Sequence, residues 1–384
     1  MKRKICVVVT ARPSYSRVKT LLKGIKDHHA LELQLVVAGS ALIDRYGNAI
    51  QVIEDDGFKV DAKVYNVLEV NNQTAMAKTT SIAIMELSNV FYNLQPDAVL
   101  TIADRYETLG TSIAASYQNI PLIHLQGGEV TGNIDEKVRH ANTKLSDIHF
   151  VSSKMAANRV VKMGENPDSV FNTGCPSLDL AKEVLINPSL NFDPVKKYGG
   201  VGSSFDFTDD YIIVMQHPET NESQNARKHI EETLKAIKDL KINTLWFWPN
   251  VDAGSDATSS GIRHYRELYN LTHVHFFKNM IPSDFLKLLY NSKCIVGNSS
   301  VGIRECAFMG VKAVNIGNRQ FGRDRGKNVI DVDYDEVQIK QAILTQVLSK
   351  KIDQDFLYGE GNSGIKIANL IAKVKLTYQK KLTF

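Results

Sequence analysis

The strongest constraint on the fold is a repeated pairing of a short apolar run, free of polar alternation, with a longer amphipathic stretch. In the first half the runs are Ile5–Thr10, Leu33–Ala38, Ala98–Ile102, Leu122–Leu125 and Ile148–Ser152. Helical patterns at Ser16–Lys26, Thr74–Leu94 and Glu107–Tyr117 lie between them. A strand buried on both faces has no polar face to alternate, and a helix after each strand supplies the crossover to a parallel neighbour. The second half repeats the scheme. Strands are predicted at Tyr211–Met215, Thr244–Trp248, Val274–Phe277, Cys294–Val296 and Ala313–Ile316, and helices at Asn225–Leu240, Pro282–Asn291 and Val301–Met309. The fold class is therefore α/β, with two Rossmann-like, doubly wound parallel-sheet domains facing a cleft.

Length supports the division. Single cores stop growing near ~250–300 residues, and the chain has 384. The stretch Asn187–Asp210, with Pro188, Pro194, Gly199, Gly200, Gly202 and the pair Ser203-Ser204, reads as the connection. Residues 1–186 then form the first domain and 187–363 the second. The last helical pattern, Gly364–Thr377, has no strand after it, so residues 364–384 are expected to pack back on the first domain.

Charge and cysteine usage exclude several partners. The net charge of +4 arises from 46 basic and 42 acidic residues, too even a balance for a nucleic-acid-binding face. No apolar stretch approaches the ~20 residues that span a bilayer. Lys2-Arg3-Lys4 precede Cys6–Val9 in the manner of a signal peptide, but the run is short and Arg12 follows, so a buried strand is the reading. Cys6, Cys175, Cys294 and Cys306 form no CxxC pair and sit in or beside apolar segments. Reduced, buried thiols and a cytoplasmic location are expected.

Ligands of doubly wound folds bind outside the carboxyl ends of the strands, so the post-strand turns are where chemistry is sought. In Thr10-Ala11-Arg12-Pro13-Ser14-Tyr15-Ser16, Arg12 beside a hydroxyl-rich helix start suits an anion, while Ser14 or Ser16 is equally an ordinary N-cap. No GxGxxG is present there, which disfavours a dinucleotide-dependent dehydrogenase. Asp104-Arg105 is either a surface pair or an acid/base carboxylate beside a phosphate ligand. His124–Asp135 runs from a buried strand into a loop with Gly127, Gly128, Gly132 and Glu129, then into a helix near Ile134 carrying Asp135, Arg139 and His140. Three glycines let backbone approach a ligand closely. His217, in Gln216-His217-Pro218, is a phosphate partner or proton donor, or else a core histidine. Asn250 sits on another strand-end turn, suited to a base or ribose. In Gly297–Glu305, Ser299, Ser300 and the helix start suit a diphosphate, with Glu305 placed for a ribose diol, while plain capping by Ser299 or Ser300 accounts for the hydroxyls but not for the glycines or Glu305. His273 and His275 alternate on one strand face but have no third ligand nearby, so no metal site is read.

Together these blocks resemble the hydrolysing UDP-N-acetylglucosamine 2-epimerases, of the bacterial NeuC type and the epimerase half of the animal bifunctional sialic-acid enzyme. The resemblance spans nearly the whole chain, from Arg12-Pro13-Ser14-Tyr15-Ser16 through Gly127–His140, Gly174-Cys175-Pro176-Ser177, Gln216-His217-Pro218, Pro249–Ser255, Gly297–Glu305 and Asn318-Arg319-Gln320 to the terminal Lys381–Phe384. It implies a fold like the GT-B glycosyltransferases with the nucleotide in the interdomain cleft. Arg12, Ser16, Arg105, His217, Asn250, Ser299, Ser300, Glu305 and Arg319 would hold UDP, and Asp104, Glu129 and Asp135 would surround the sugar. The implied reaction removes the C2 proton while UDP leaves C1, then hydrates the glycal to free N-acetylmannosamine. It needs no cofactor, and the family's habit is a homodimer or homotetramer. Three positions depart from the family pattern: Ser14 and Gln126 stand where acids are usual, and Ile102 where the animal enzyme has histidine. Glutamine cannot take a proton. Either Glu129, Asp135 or Asp104 is then the base, or the preferred sugar is a 2,4-diacetamido-trideoxy one. A GT-B glycosyltransferase and a non-catalytic UDP-sugar binder are the competing classes.

Overall fold

The computed structural model describes residues 1–44, 48–68, 73–131, 134–249 and 254–383. The chain forms two compact units, the first Met1–Glu129, Ile134–Asp179 and Tyr358–Phe384, the second Val130–Asn133 and Leu180–Leu357.

The first unit is built on strands β1 (Arg3–Val9), β2 (Leu31–Ala38), β3 (Ala62–Val64), β4 (Ala98–Ile102), β5 (Leu122–Leu125), β6 (Ile148–Val151) and β7 (Val170–Asn172). They form one sheet in the order β3-β2-β1-β4-β5-β6-β7, with every pair parallel. Helices α1 (Arg12–Asp27), α2 (Ala49–Asp55), α3 (Gln73–Leu94), α4 (Tyr106–Tyr117), α5 (Ile134–Leu145), α6 (Lys154–Lys162) and α7 (Ser177–Ile186) alternate with them. In β1, Ile5 to Val9 are all withdrawn from water, which is why the run shows no alternation. Each such aliphatic side chain contributes about 1.5–3 kcal/mol by burial. In α3 the buried residues fall every fourth position, Ala75, Thr79, Ala83, Leu87 and Phe91. That spacing keeps one helical stripe on the sheet.

The second unit uses β8 (Val201–Gly202), β9 (Tyr211–Met215), β10 (Asn243–Phe247), β11 (Val274–Phe277), β12 (Cys294–Gly297), β13 (Lys312–Ile316) and β14 (Val329–Val332). Its order is β14-β13-β12-β9-β10-β11-β8. Helices α8 (Pro194–Tyr198), α9 (Ala226–Leu240), α10 (Ser255–Leu268), α11 (Pro282–Asn291), α12 (Glu305–Met309) and α13 (Glu336–Leu348) connect the strands, and α14 (Ser363–Lys373) follows. No described helix is long and apolar enough to cross a membrane.

Several expectations are corrected. The stretch Asn187–Asp210 is not simply a connection. It holds α8 and β8, and β8 pairs antiparallel with β11, so the second sheet is not wholly parallel. His275 explains the docking, since its ring nitrogens bond the carbonyls of Ser203 (3.1 Å) and Gly199 (3.0 Å). His273 lies just before β11 rather than on it, bonded to the Ile237 carbonyl. The unit boundary falls inside α7 rather than at 186. Asp179, near the start of α7, accepts from Thr20 and from the N–H groups of Ser363 and Gly364, at 2.7–2.8 Å, and so stays with the first unit. The return comes at Tyr358 rather than 364, because the Tyr358 carbonyl accepts the Cys175 N–H at 2.7 Å. Strands β3, β7 and β14 and helices α2, α6, α7, α10 and α13 lie outside the apolar runs and helical patterns named from sequence. All four cysteines are buried, and none of them forms a disulfide.

Candidate functional site

In each sheet the winding reverses between two parallel neighbours. In the first unit these are β1 and β4, and in the second β9 and β12. Helices diverge to opposite faces there, which opens a crevice beyond the strand ends. Arg12 follows β1, and Asp104 with Arg105 follows β4. His217 follows β9, and Ser299 with Ser300 follows β12.

The acids of the first unit are aimed by two unusual backbone positions. Ala103 and Gln126, just past β4 and β5, adopt φ 57° and 65°. A non-glycine residue in this left-handed region costs about 1–3 kcal/mol and persists where surroundings over-determine it. His124 and Asn142 supply that constraint. Both bond the Ala103 carbonyl, His124 through Nε2 at 2.9 Å and Asn142 through Nδ2 at 3.3 Å. Burial pushes His124 down to about 3, so its ring is neutral, and Nδ1 meets the Thr143 hydroxyl at 3.1 Å. Asp104 is gripped by the buried Arg139 of α5, and Arg17 lies 3.9 Å from its other oxygen. Arg139 also donates to the Glu129 carbonyl at 2.8 Å. One side chain thus joins Asp104 to the glycine loop. Gly128 has φ 75°, and a Cβ there would overlap the Ala156 carbonyl, so only glycine lets the loop lie on α6.

Gln126 is 1% exposed. Its Nε2 donates to the Cys175 thiol sulfur at 3.0 Å, and Oε1 has no hydrogen-bond partner among the described residues. Asp135 is half-buried in the first turn of α5, one turn before Arg139. The first unit therefore brings Asp104 and Glu129 together through Arg139, and holds Asp135 on the same helix as that arginine.

The cationic candidates of this unit are Arg12 and Arg105. Arg12 opens α1, where no side chain caps the helix, and burial lowers its pKa from the ordinary value. Ser16 donates its hydroxyl to the Arg12 carbonyl at 3.4 Å rather than capping the helix. Arg105 makes two 3.2 Å bonds to the buried carboxylate of Glu107, a fork that fixes the guanidinium plane.

In the second unit Asn298 ties the two strand ends. Its Oδ1 accepts the His217 N–H and its Nδ2 donates to the His217 carbonyl, both at 2.8 Å. Gly297 has φ 130°, and a Cβ there would overlap the Met215 carbonyl, so β12 can approach β9 only with glycine. The expected helix Val301–Met309 is broken into a 3-10 turn, Ser300–Gly302, and the five-residue α12. Ser299 caps the turn by accepting the Val301 N–H, and Ser300 accepts from Arg304 at 3.0 Å. A long helix dipole is thus absent at this point, and what the second unit offers an anion there is the turn, its hydroxyls and the guanidinium groups of Arg304 and Arg319. Glu305 is 7% exposed, and its Oε2 has no hydrogen-bond partner among the described residues. Arg319 and Gln320 both donate to the Asn298 carbonyl, at 3.2 and 2.9 Å. Glu219 anchors that loop by accepting the N–H groups of Asn318 and Arg319 and the hydroxyl of Tyr334.

The unit thus gathers His217, Ser299, Ser300 and Arg319 around Asn298, with Glu305 opening α12. Asn250 lies outside the described residues. Sequence reasoning gave no role to Glu107, Glu219, Asn298 or Tyr334, whose function is to hold other side chains or backbone. Glu219 closes the run His217-Pro218-Glu219, and that was the available signal.

Two doubly wound α/β units, each with polar residues collected at its switch point, define a protein of the GT-B-like class. The chain belongs to the UDP-N-acetylglucosamine 2-epimerase family, whose model matches residues 23–372. It is 31% identical over 385 residues to the UDP-N,N'-diacetylbacillosamine 2-epimerase (hydrolyzing) of Legionella pneumophila, covering 99% of this chain and 98% of that one. It is 30% identical over 363 residues to a UDP-N-acetylglucosamine 2-epimerase of Neisseria meningitidis, covering 94% and 92%. Among solved structures, the UDP-GlcNAc 2-epimerase from Neisseria meningitidis bound to UDP-GlcNAc has the same fold, with TM-score 0.81, 18% identity and coverage of 97% and 100%.

Proposed function

We propose that this enzyme hydrolyses a UDP-2-acetamido sugar with inversion at C2, releasing UDP and the free epimeric sugar. The observation that carries the reading is the Asp104–Arg139–Glu129 assembly at the first unit's switch point, in a chain of this family. A C2 proton beside an acetamido group is weakly acidic, so its removal needs a positioned carboxylate together with stabilisation of the departing diphosphate. Gln126 cannot accept a proton, and Asp104 is occupied by Arg139 and Arg17. The working acids are assigned to Glu129, in the glycine loop that Arg139 ties to Asp104, and Asp135, in the first turn of α5. One removes the C2 proton as the C1–O bond breaks, giving UDP and a 2-acetamidoglycal. The other delivers a proton to the opposite face of C2 as water adds at C1. Each unit offers its own candidates for UDP: Arg12, Ser16 and Arg105 in the first, and in the second His217, Ser299, Ser300 and Arg319 for phosphate, Asn250 for the base or ribose and Glu305 for the ribose diol.

UDP-N-acetylglucosamine is the first substrate assigned, giving N-acetylmannosamine for sialic-acid-type synthesis. UDP-N,N'-diacetylbacillosamine is the second, favoured by the end-to-end match to the Legionella pneumophila enzyme and by an amide at Gln126. Incubation of each in deuterated water, followed by phosphorus and proton NMR, tests both. Free UDP and a C2-deuterated epimer support the reaction. Intact nucleotide sugar in both incubations, with binding still detected, overturns it in favour of a non-catalytic binder.

A further inference from the structure

Residues after α14 run back over the first unit and end in a polar latch beside the amino end of β6. Lys380 Nζ lies 2.6 Å from Glu165 Oε2, and it also donates to the carbonyls of Thr143 (3.0 Å) and Ser146. Glu165 is 2% exposed and collects two further donors, Lys144 at 2.6 Å and His149 at 3.1 Å. Burial alone would raise the Glu165 pKa, but the bonds from His149, Lys144 and Lys380 hold it at about 2. Thr383 fastens the segment, donating its N–H and hydroxyl to the Gly164 carbonyl at 3.1 and 3.2 Å.

The latch sits on the carboxyl end of α5. The last carbonyls of a helix attract cations, and Lys380 gives the Thr143 carbonyl a second, charged donor beside the Ser146 N–H at 3.2 Å. Helix α5 also carries Asp135 and Arg139. Thr143, whose carbonyl Lys380 holds, turns its hydroxyl to His124 Nδ1, and His124 Nε2 bonds the Ala103 carbonyl. Ala103 is the left-handed residue that aims Asp104. A continuous chain of short contacts therefore runs from Lys380 through Thr143 and His124 to the acid site.

We propose that Lys380 is a positioning residue: it clamps the carboxyl end of α5 and, through Thr143 and His124, fixes the turn that presents Asp104. This rests on the reading of Asp104, Glu129 and Asp135 as the residues around the sugar. Lys380 touches no substrate, so its loss is expected in turnover rather than in binding.

The test compares Lys380→Met and Lys380→Arg in the full chain. It measures UDP release from UDP-N-acetylglucosamine and from its diacetamido counterpart, with amide hydrogen exchange over residues 103–108 and 134–146. Lys380→Met is expected to lower kcat by about ten- to a hundredfold, as loss of alignment does, with KM within about twofold. Exchange rises in both segments, and Lys380→Arg restores most of the turnover. Thr143→Val, which leaves the latch intact and cuts its link to His124, is expected to give the same loss. The double variant is then no worse than either single one. Wild-type kcat in Lys380→Met or in Thr143→Val, additive losses in the double variant, or faster exchange confined to the latch overturns the proposal. If the unaltered protein releases no UDP from either sugar, the functional reading fails by itself, and the exchange data still decide whether Lys380 holds the turn.

Discussion

Asp104 and Arg139 form an ion pair whose side chains are only 11% and 2% exposed, joining the end of β4 to the middle of α5. The pair is withdrawn from water, so its two members depend on each other. Removing one partner of a buried pair leaves the other charge uncompensated, at about 3–5 kcal/mol. Arg139→Met is therefore expected to destabilise the first unit by no more than that amount, since Arg17 stays 3.9 Å from the other Asp104 oxygen, and to abolish turnover. Asp104→Asn combined with Arg139→Met recovers stability without activity. Urea unfolding together with UDP release checks both. A double variant no more stable than Arg139→Met would mean that the charge of Asp104 is not what the arginine offsets.

Gln126 presents the opposite case, a neutral amide in a place where the family usually has an acid. Its Nε2–H reaches the Cys175 thiol, and burial leaves no water to solvate a charge. Gln126→Glu forfeits that donor and buries a carboxyl, a loss of about 1–3 kcal/mol. With Glu129 and Asp135 as the working acids, no gain in turnover on UDP-N-acetylglucosamine is expected. A clear gain, measured by UDP release, would move the base to position 126.

Gly297 permits β12 to lie against the end of β9, and that approach sets the spacing of His217 and Ser299. Gly297→Ala combines a backbone conformation hostile to side chains with an overlap on the Met215 carbonyl. A loss above about 3 kcal/mol is expected, at the upper end of single substitutions, with UDP binding weakened in whatever fraction folds. Calorimetric titration with UDP and thermal unfolding are the readouts. A variant of normal stability would show that β12 can move away from β9 at little cost.

The pH response follows from His124, His149 and Glu165. The ordinary histidine value of 6.5 falls to about 3 for His124, and burial lowers His149 as well. Below pH 6.5 the unfolded chain takes up protons that the folded one refuses, so stability is full above that value and falls as pH drops toward 3. Glu165 adds to the loss only below its ordinary value of 4.5, down to about 2. Between about pH 6.5 and pH 4.5 the slope of stability is carried by His124 and His149, with His229, also lowered by burial, adding to it and Asp147, raised by burial, opposing it. His124→Gln is expected to reduce that slope by about one proton, measured by denaturant titration across the window. An unchanged slope would mean that His124 titrates normally.

The part of this legible in the sequence was whatever rests on local periodicity and strand-end position. The apolar runs at Ala98–Ile102, Leu122–Leu125, Tyr211–Met215 and Val274–Phe277 coincide with strands because both faces of each are buried. Asp104, Gln126, His217 and Ser299 stood out because they follow such runs. What escaped depends on partners distant in sequence. Glu107 matters as the fork that holds Arg105, Asn298 as the bridge to His217, and Lys380 as the clamp on Thr143. None of these has a spacing that announces it. The helix expected at Val301–Met309 is split between the 3-10 turn and α12 although Ile303 and Arg304, which lie between them, keep right-handed helical backbone angles.

Glu305 provides the sharpest test of the second unit. It opens α12, is nearly buried, and keeps one carboxylate oxygen without a hydrogen-bond partner among the described residues. An unsatisfied buried acceptor costs stability unless a ligand supplies the donor. A ribose diol is such a donor, and a bond to a charged acceptor is worth about 1.5–3 kcal/mol. Glu305→Gln keeps the shape, removes the charge and leaves one acceptor. UDP affinity is therefore expected to fall by about ten- to a hundredfold, while the unliganded protein unfolds at the same or a higher temperature. Calorimetric titration should show the same loss for uridine, which has the diol and no phosphate. Weakening seen with UDP but not with uridine would place Glu305 against the diphosphate side, where a carboxylate is repelled, and would overturn its assignment to the ribose.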